Sequence, residues 1–187
     1  HHYMTTLSNE QVFAELYYTA RIIKDVLGIT PRCWRPPFGD VDDRVRAIAT
    51  ALGLRTIIWN HDTNDWDIQP DGNSPTQKID SNYQKIIDLA SQNKVNDKGV
   101  IVLNHELSKN TMNEFMKMYS KIKGAYDNVV PLTACMNATT PYVETNISYP
   151  TFDEFTSGQV GAKGLPDLDS YQIPVPLQLK ITKETDQ

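Results

Sequence analysis

Three polar clusters in this sequence carry residue types that do chemistry. They are Arg35-Pro36-Pro37-Phe38-Gly39-Asp40, His61-Asp62-Thr63-Asn64-Asp65-Trp66 and Leu103-Asn104-His105-Glu106. Histidine is the side chain best suited to give a proton to a leaving group near neutral pH. A carboxylate beside it fixes its tautomer and stabilises its charged form. Arginine presents a planar fork that can orient a second carboxylate. Trp34 and Trp66 offer apolar faces, either as a floor for a sugar ring or as core filling. Together these types suggest hydrolysis.

Each cluster depends on the elements that precede it. Ser8-Asn9-Glu10-Gln11 reads as a capping box. Val12, Phe13, Leu16, Tyr17, Ala20, Ile23 and Leu27 follow at helical spacing, and Gly28 ends the run. The aromatic residues of this helix are expected in the core. Arg32 to Arg35 reads as a short strand stopped by Pro36-Pro37. Asp40 is placed to cap a second helix carrying Val41, Val45, Ile48, Ala49 and Leu52. Leu54 to Trp59 has the pattern of a buried strand, and Asn60 to Pro75 that of a long loop. Ile79, Tyr83, Ile86, Ile87 and Ala90 mark a third helix. Gly99 to Leu103 reads as another buried strand. Phe115, Met118, Tyr119, Ile122 and Tyr126 mark a fourth helix, and Val129 to Leu132 a last strand.

Strands alternating with helices predict an α/β fold with parallel strands, as a β/α barrel or an open sheet. Ligands in such folds bind at the C-terminal ends of the strands, where all three clusters fall. From Thr133 onward prolines recur and helical periodicity fades. The expected organisation is one domain over residues 1–132 and an irregular C-terminal extension over 133–187.

Composition narrows the partners. The chain has 187 residues, 40% of them hydrophobic and 22% charged, with a net charge of -5. No basic stretch is interleaved with aromatics, so nucleic acid is not an expected partner. No apolar run is long enough for a transmembrane helix. Cys33 and Cys135 are too far apart in sequence for a zinc knuckle, which leaves free thiols or a disulfide. Asn137-Ala138-Thr139 and Asn146-Ile147-Ser148 are glycosylation sequons. Two sequons with an even cysteine count lead to the expectation of a secreted or cell-wall protein with a Cys33–Cys135 disulfide and glycans on Asn137 and Asn146.

The clusters also carry a resemblance. Arg35-Pro36-Pro37-Phe38 resembles the third motif of the NodB-homology polysaccharide deacetylases, carbohydrate esterase family four. Asp62-Thr63-Asn64-Asp65-Trp66 resembles the fourth motif, and Leu103-Asn104-His105 the fifth. His1-His2-Tyr3-Met4-Thr5-Thr6-Leu7-Ser8 resembles the end of the second. The surrounding sequence is most similar to fungal chitin deacetylases, and the match covers about the first 130 residues. The resemblance implies a distorted β/α barrel, of which this chain is a part. It also implies a divalent metal, usually zinc, held by one Asp and two His, with His1 as the second His.

It implies further that Arg35 orients a catalytic base, that the Phe38 N–H helps bind an oxyanion and that His105 is the general acid. Asp62 is expected to tune His105, with Asp65 as the alternative partner of that histidine, and Trp66 and Leu103 to line the acetyl pocket. The motif that carries the base and the metal Asp is not in this chain. The first His of the second motif is also absent. The expected partners are therefore chitin or chitin oligomers and the missing N-terminal part of the same protein. The expected reaction is hydrolysis of N-acetyl groups. Acetylated xylan, peptidoglycan and a catalytically inactive glycan-binding role are the alternatives.

Overall fold

The computed structural model describes residues 1–67, 75–92, 94–95, 99–159, 161 and 163–165. They form two compact units. One contains His1–Ile57 and Ala138–Pro150, the other Ile58–Asn137 and Thr151–Gln159.

In the first unit a 3-10 turn, Met4–Thr6, leads into α1 (Asn9–Leu27). The capping box forms as expected: Ser8 Oγ accepts the Gln11 N–H, and Gln11 Oε1 accepts the Ser8 N–H at 2.9 Å. Gly28 closes the helix in the left-handed conformation, φ 72°. Next come β1 (Cys33–Trp34), a 3-10 turn (Pro37–Gly39), α2 (Asp43–Ala51) and β2 (Arg55–Thr56). Strands β1 and β2 are parallel, with Cys33 opposite Arg55 and Trp34 opposite Thr56, so α2 is a crossover helix. Met4, Val12, Leu16, Val45, Ala49 and Leu54 make the core, and Trp34 packs against it.

The aromatic face of α1 departs from expectation. Val12 and Leu16 are buried, but Phe13, Tyr17 and Tyr18 are 45, 41 and 66% exposed. The hydrophobic stripe is wider than what α2 and the strands cover. The cap of α2 also differs. Asp42, not Asp40, accepts the Val45 N–H at 2.8 Å.

Residues 138–150 lie along the segment ahead of β1. The Arg32 N–H donates to the Pro141 carbonyl at 2.9 Å, and the Val143 N–H to the Thr30 carbonyl at 3.0 Å. Glu144 anchors this strip. Its carboxylate accepts from Thr30 N at 2.7 Å, Thr30 Oγ1 at 2.8 Å and Lys24 Nζ at 2.7 Å.

The second unit repeats the strand–helix–strand plan. It contains β3 (His61–Asp62), α3 (Thr76–Ser91), β4 (Val102–Leu103) and α4 (Lys109–Ala125), then α5 (Leu132–Cys135) and α6 (Phe152–Thr156). Strands β3 and β4 are parallel, with His61 opposite Val102 and Asp62 opposite Leu103. Ile79, Tyr83, Ile86 and Met118 form its core. Two expectations fail here. The expected loop opens with a strand, β3; its residues 68–74 lie outside the described part. The expected strand at Val129–Leu132 is absent, because Pro131, which donates nothing to a ladder, instead precedes α5.

Cys33 and Cys135 are free thiols, Cys33 half-buried on β1 and Cys135 exposed at the end of α5, each in a different unit. Asn137 and Asn146 are both exposed.

Candidate active site

The parallel ladder brings the ends of β3 and β4 together. Thr63 follows β3 and is fully buried. Its N–H and its hydroxyl both donate to the Leu103 carbonyl, at 3.1 and 3.0 Å. This double tie sets where the chain goes after each strand. Continued in register, Asn64 would face His105. Instead Asn64 adopts φ 54°, a left-handed conformation that Asn tolerates better than most residues. Asp62 holds that turn. Its Oδ1 accepts the Asn64 N–H at 2.7 Å, and its Oδ2 accepts the Trp66 indole N–H at 3.1 Å. Asn82 on α3 braces the same turn, donating to the Thr63 carbonyl at 3.0 Å and to Asn64 Oδ1 at 2.9 Å.

The turn delivers Asp65 to His105. Asp65 Oδ1 lies 2.8 Å from His105 Nδ1, and Asp65 Oδ2 accepts the His105 backbone N–H at 2.6 Å. A carboxylate has no proton to give, so Nδ1 is the donor. The Nε2 tautomeric position is then left for external proton transfer. The Asp65 side chain is 3% exposed and that of His105 is 24% exposed. A buried carboxylate thus grips a partly accessible imidazole, the arrangement of a held general acid.

This corrects the expected role of Asp62. Asp65 is the partner of His105, and Asp62 shapes the loop between them. Asn82 escaped sequence reading altogether, since a polar residue on an amphipathic helix reads as solvated surface. Tyr83 on α3 is 2% exposed. Burial pushes its phenol well above the ordinary range, and the charges of Asp65 and Glu114 add to that. It stays neutral.

The other expected residues fall as follows. Trp66 is 48% exposed, consistent with a contact surface. Leu103 is 8% exposed, so its side chain belongs to the interior more than to a pocket. Trp34 is a core residue whose indole donates to Thr56 Oγ1 at 2.9 Å.

In the first unit, Arg35 is exposed at the end of β1 and His1 is exposed at the start of the chain. Phe38 sits at φ 58° with its ring 59% exposed and stacked on Tyr3, centroids 4.6 Å apart. A left-handed bulky residue costs on the order of 1–3 kcal/mol and persists only where its surroundings hold it. Among the described residues no three His, Cys, Asp or Glu side chains gather as a metal site. His1 is one candidate ligand, and the residues present do not by themselves fit a bound metal.

The polysaccharide deacetylase family model matches residues 1–57. Chitin deacetylase 2 of Cryptococcus neoformans is 54% identical over 158 residues, covering 84% of this chain and 34% of that protein. The chain resembles the fungal chitin deacetylases. It spans about a third of the length of the curated relatives it matches. The chitin deacetylase from Colletotrichum lindemuthianum superposes with a TM-score of 0.64 at 21% identity, covering 76% of this chain and 62% of that one. This is a likeness of fold, and the α/β class read from the sequence agrees with it. A carbohydrate esterase family 4 pseudoenzyme from Bacillus anthracis is 27% identical with a TM-score of 0.52, covering 64% of this chain and 37% of that one. A fold shared with a pseudoenzyme does not by itself carry catalysis, so the argument for chemistry rests on the side chains.

Proposed function

We propose that this chain is part of a hydrolase that removes N-acetyl groups from chitin, releasing acetate and leaving glucosamine units. The observation that carries the reading is the buried Asp65 carboxylate bonded to His105 Nδ1 at 2.8 Å. In this reading water adds to the acetyl carbonyl and the C–N bond breaks. His105 Nε2 supplies the proton that the departing sugar amine takes up. Asp65 holds the ring and stabilises its charge before transfer. The Phe38 N–H donates to the carbonyl oxygen as it becomes an oxyanion, a contribution of about 3–4 kcal/mol when such a donor is well placed. Arg35 orients the base, and Trp66 offers its face to the sugar ring.

A divalent metal, zinc by resemblance, is proposed for the complete domain, with His1 as one ligand. No step above is assigned to it. The rest of the domain is the proposed partner of this chain, and the apolar face of α1 is one surface for it to cover. Secretion and glycans on Asn137 and Asn146 complete the proposal.

The test compares two proteins. The complete domain containing these residues and the chain of residues 1–187 alone are each supplied with zinc and assayed for acetate release. Chitin oligomers, acetylated xylan and peptidoglycan serve as substrates. The expected result is release from chitin oligomers by the complete domain and none by the isolated chain. Release only from another glycan would replace the substrate. An isolated chain as fast as the complete domain would show that no further residues are needed.

A further inference from the structure

Asp40 lies just ahead of α2, where a carboxylate ordinarily caps the helix. That task falls to Asp42, and Asp40 reaches back across 35 residues of sequence instead. Asp40 Oδ2 accepts the Thr5 N–H at 2.8 Å, and Asp40 Oδ1 accepts the Thr5 hydroxyl at 3.0 Å. The Thr5 carbonyl in turn accepts from Arg44 Nη2 at 3.1 Å. The turn that follows His1 is thereby tied to the loop that carries Arg35 and Phe38. The Tyr3–Phe38 ring stack is a second tie between the same two segments, one that leaves both rings more than half exposed.

We propose that Asp40 is a positioning residue: through Thr5 it sets the Arg35–Phe38 loop against the turn that follows His1. The inference rests on the proposed function, in which His1, Arg35 and the Phe38 N–H serve one reaction. Phe38 holds a left-handed backbone without glycine's freedom, so its N–H points correctly only while its flanks are fixed. Tyr3 grips it on one side and Asp40, two residues on, is pinned on the other. The partner of Asp40 is an uncharged threonine, so the clamp works through the geometry of two hydrogen bonds. An asparagine preserves both: its Oδ1 accepts the Thr5 N–H and its Nδ2 donates to the Thr5 hydroxyl.

The experiment uses the complete domain and the variants Asp40→Ala, Asp40→Asn, Thr5→Val and Asp40→Ala/Thr5→Val. Misplacing a reacting group by about 1 Å costs up to about a hundredfold. Asp40→Ala is therefore expected to lower kcat by about ten- to a hundredfold, with KM little changed. Asp40→Asn restores most of the rate. Thr5→Val adds nothing in the Asp40→Ala background, because the two residues act as one unit. Hydrogen exchange should quicken at Thr5 and, with it, at the Gly39 amide, which bonds to the Pro36 carbonyl at 3.1 Å.

Three results overturn the inference. One is a folded Asp40→Ala variant with kcat within twofold of wild type. Another is an Asp40→Asn variant as impaired as Asp40→Ala, which would make charge the operative property. The third is faster exchange at Thr5 with Gly39 unchanged. A wild-type domain that releases no acetate from any glycan sinks the proposed function instead, and the exchange measurement then decides the clamp by itself.

Discussion

Replacing Asp65 by Asn tests the reading of the second unit most sharply. The substitution keeps shape and removes charge. Asp65 accepts two hydrogen bonds from His105, one at each carboxylate oxygen, in a site where its side chain is 3% exposed. An amide has a single oxygen. If it keeps the backbone N–H of His105, its NH2 group faces Nδ1 and makes the ring accept there. The proton then moves to Nε2 in the neutral ring, and the charged form loses its counter-ion. If it keeps Nδ1, the backbone N–H is left facing a donor. In the second case one buried bond goes unmade, at a cost of about 1–3 kcal/mol; in the first the ring is held in the wrong tautomer.

The kinetic loss should exceed the stability loss. Acid–base groups contribute about a hundred- to ten-thousandfold, and Asp65→Asn is expected to forfeit most of that. His105→Asn sets the full loss for comparison, within the same range. Asp62→Asn is the internal control. Its oxygens bond to Asn64 and Trp66 rather than to His105, so a loss of less than about tenfold is expected, well below the acid–base scale. The assay is acetate release from a chitin oligomer by the complete domain, with thermal unfolding of each variant alongside. Asp65→Asn within threefold of wild type, with Asp62→Asn severely impaired, would refute the assignment and return Asp62 to the role first expected of it.

Two further predictions concern the framework. Burial pushes the Glu144 carboxyl up, but its bonds to Lys24 and Thr30 outweigh this and hold it at about 2. A depressed carboxyl stabilises the folded state above its ordinary value near 4.5 and loses that contribution as pH falls towards about 2. Glu144→Gln should therefore lower Tm at pH 7, and the gap from wild type should close between pH 4.5 and 2; a gap independent of pH would refute this. Thr63→Val removes a buried hydroxyl but leaves the Leu103 carbonyl its bond from the Thr63 N–H. The expected cost in chemical denaturation is about 0.5–1.5 kcal/mol; a loss above about 3 kcal/mol would mean the hydroxyl holds more than one hydrogen bond's worth of structure.

Local pattern carried a good deal of this protein. The capping box at Ser8, the terminator Gly28 and the apolar spacing of α1, α3 and α4 depend on residues a few positions apart, and they read correctly. The polar clusters at strand ends were visible for the same reason, and so was the resemblance they carry. What sequence could not reach was decided by contacts between distant segments. Asp62 and Asp65 are equally good carboxylates on paper. The β3–β4 register and the left-handed turn at Asn64 chose Asp65 for His105. Asp40 and Asp42 are equally good caps, and Thr5, far away in sequence, claimed Asp40. Helical spacing shows that Phe13, Tyr17 and Tyr18 share α1 with the core residues but not how much of that face is covered, because coverage belongs to the neighbours and not to the helix. Hydrogen-bond choice and burial are set by what lies opposite in space, and only the tertiary structure places it there.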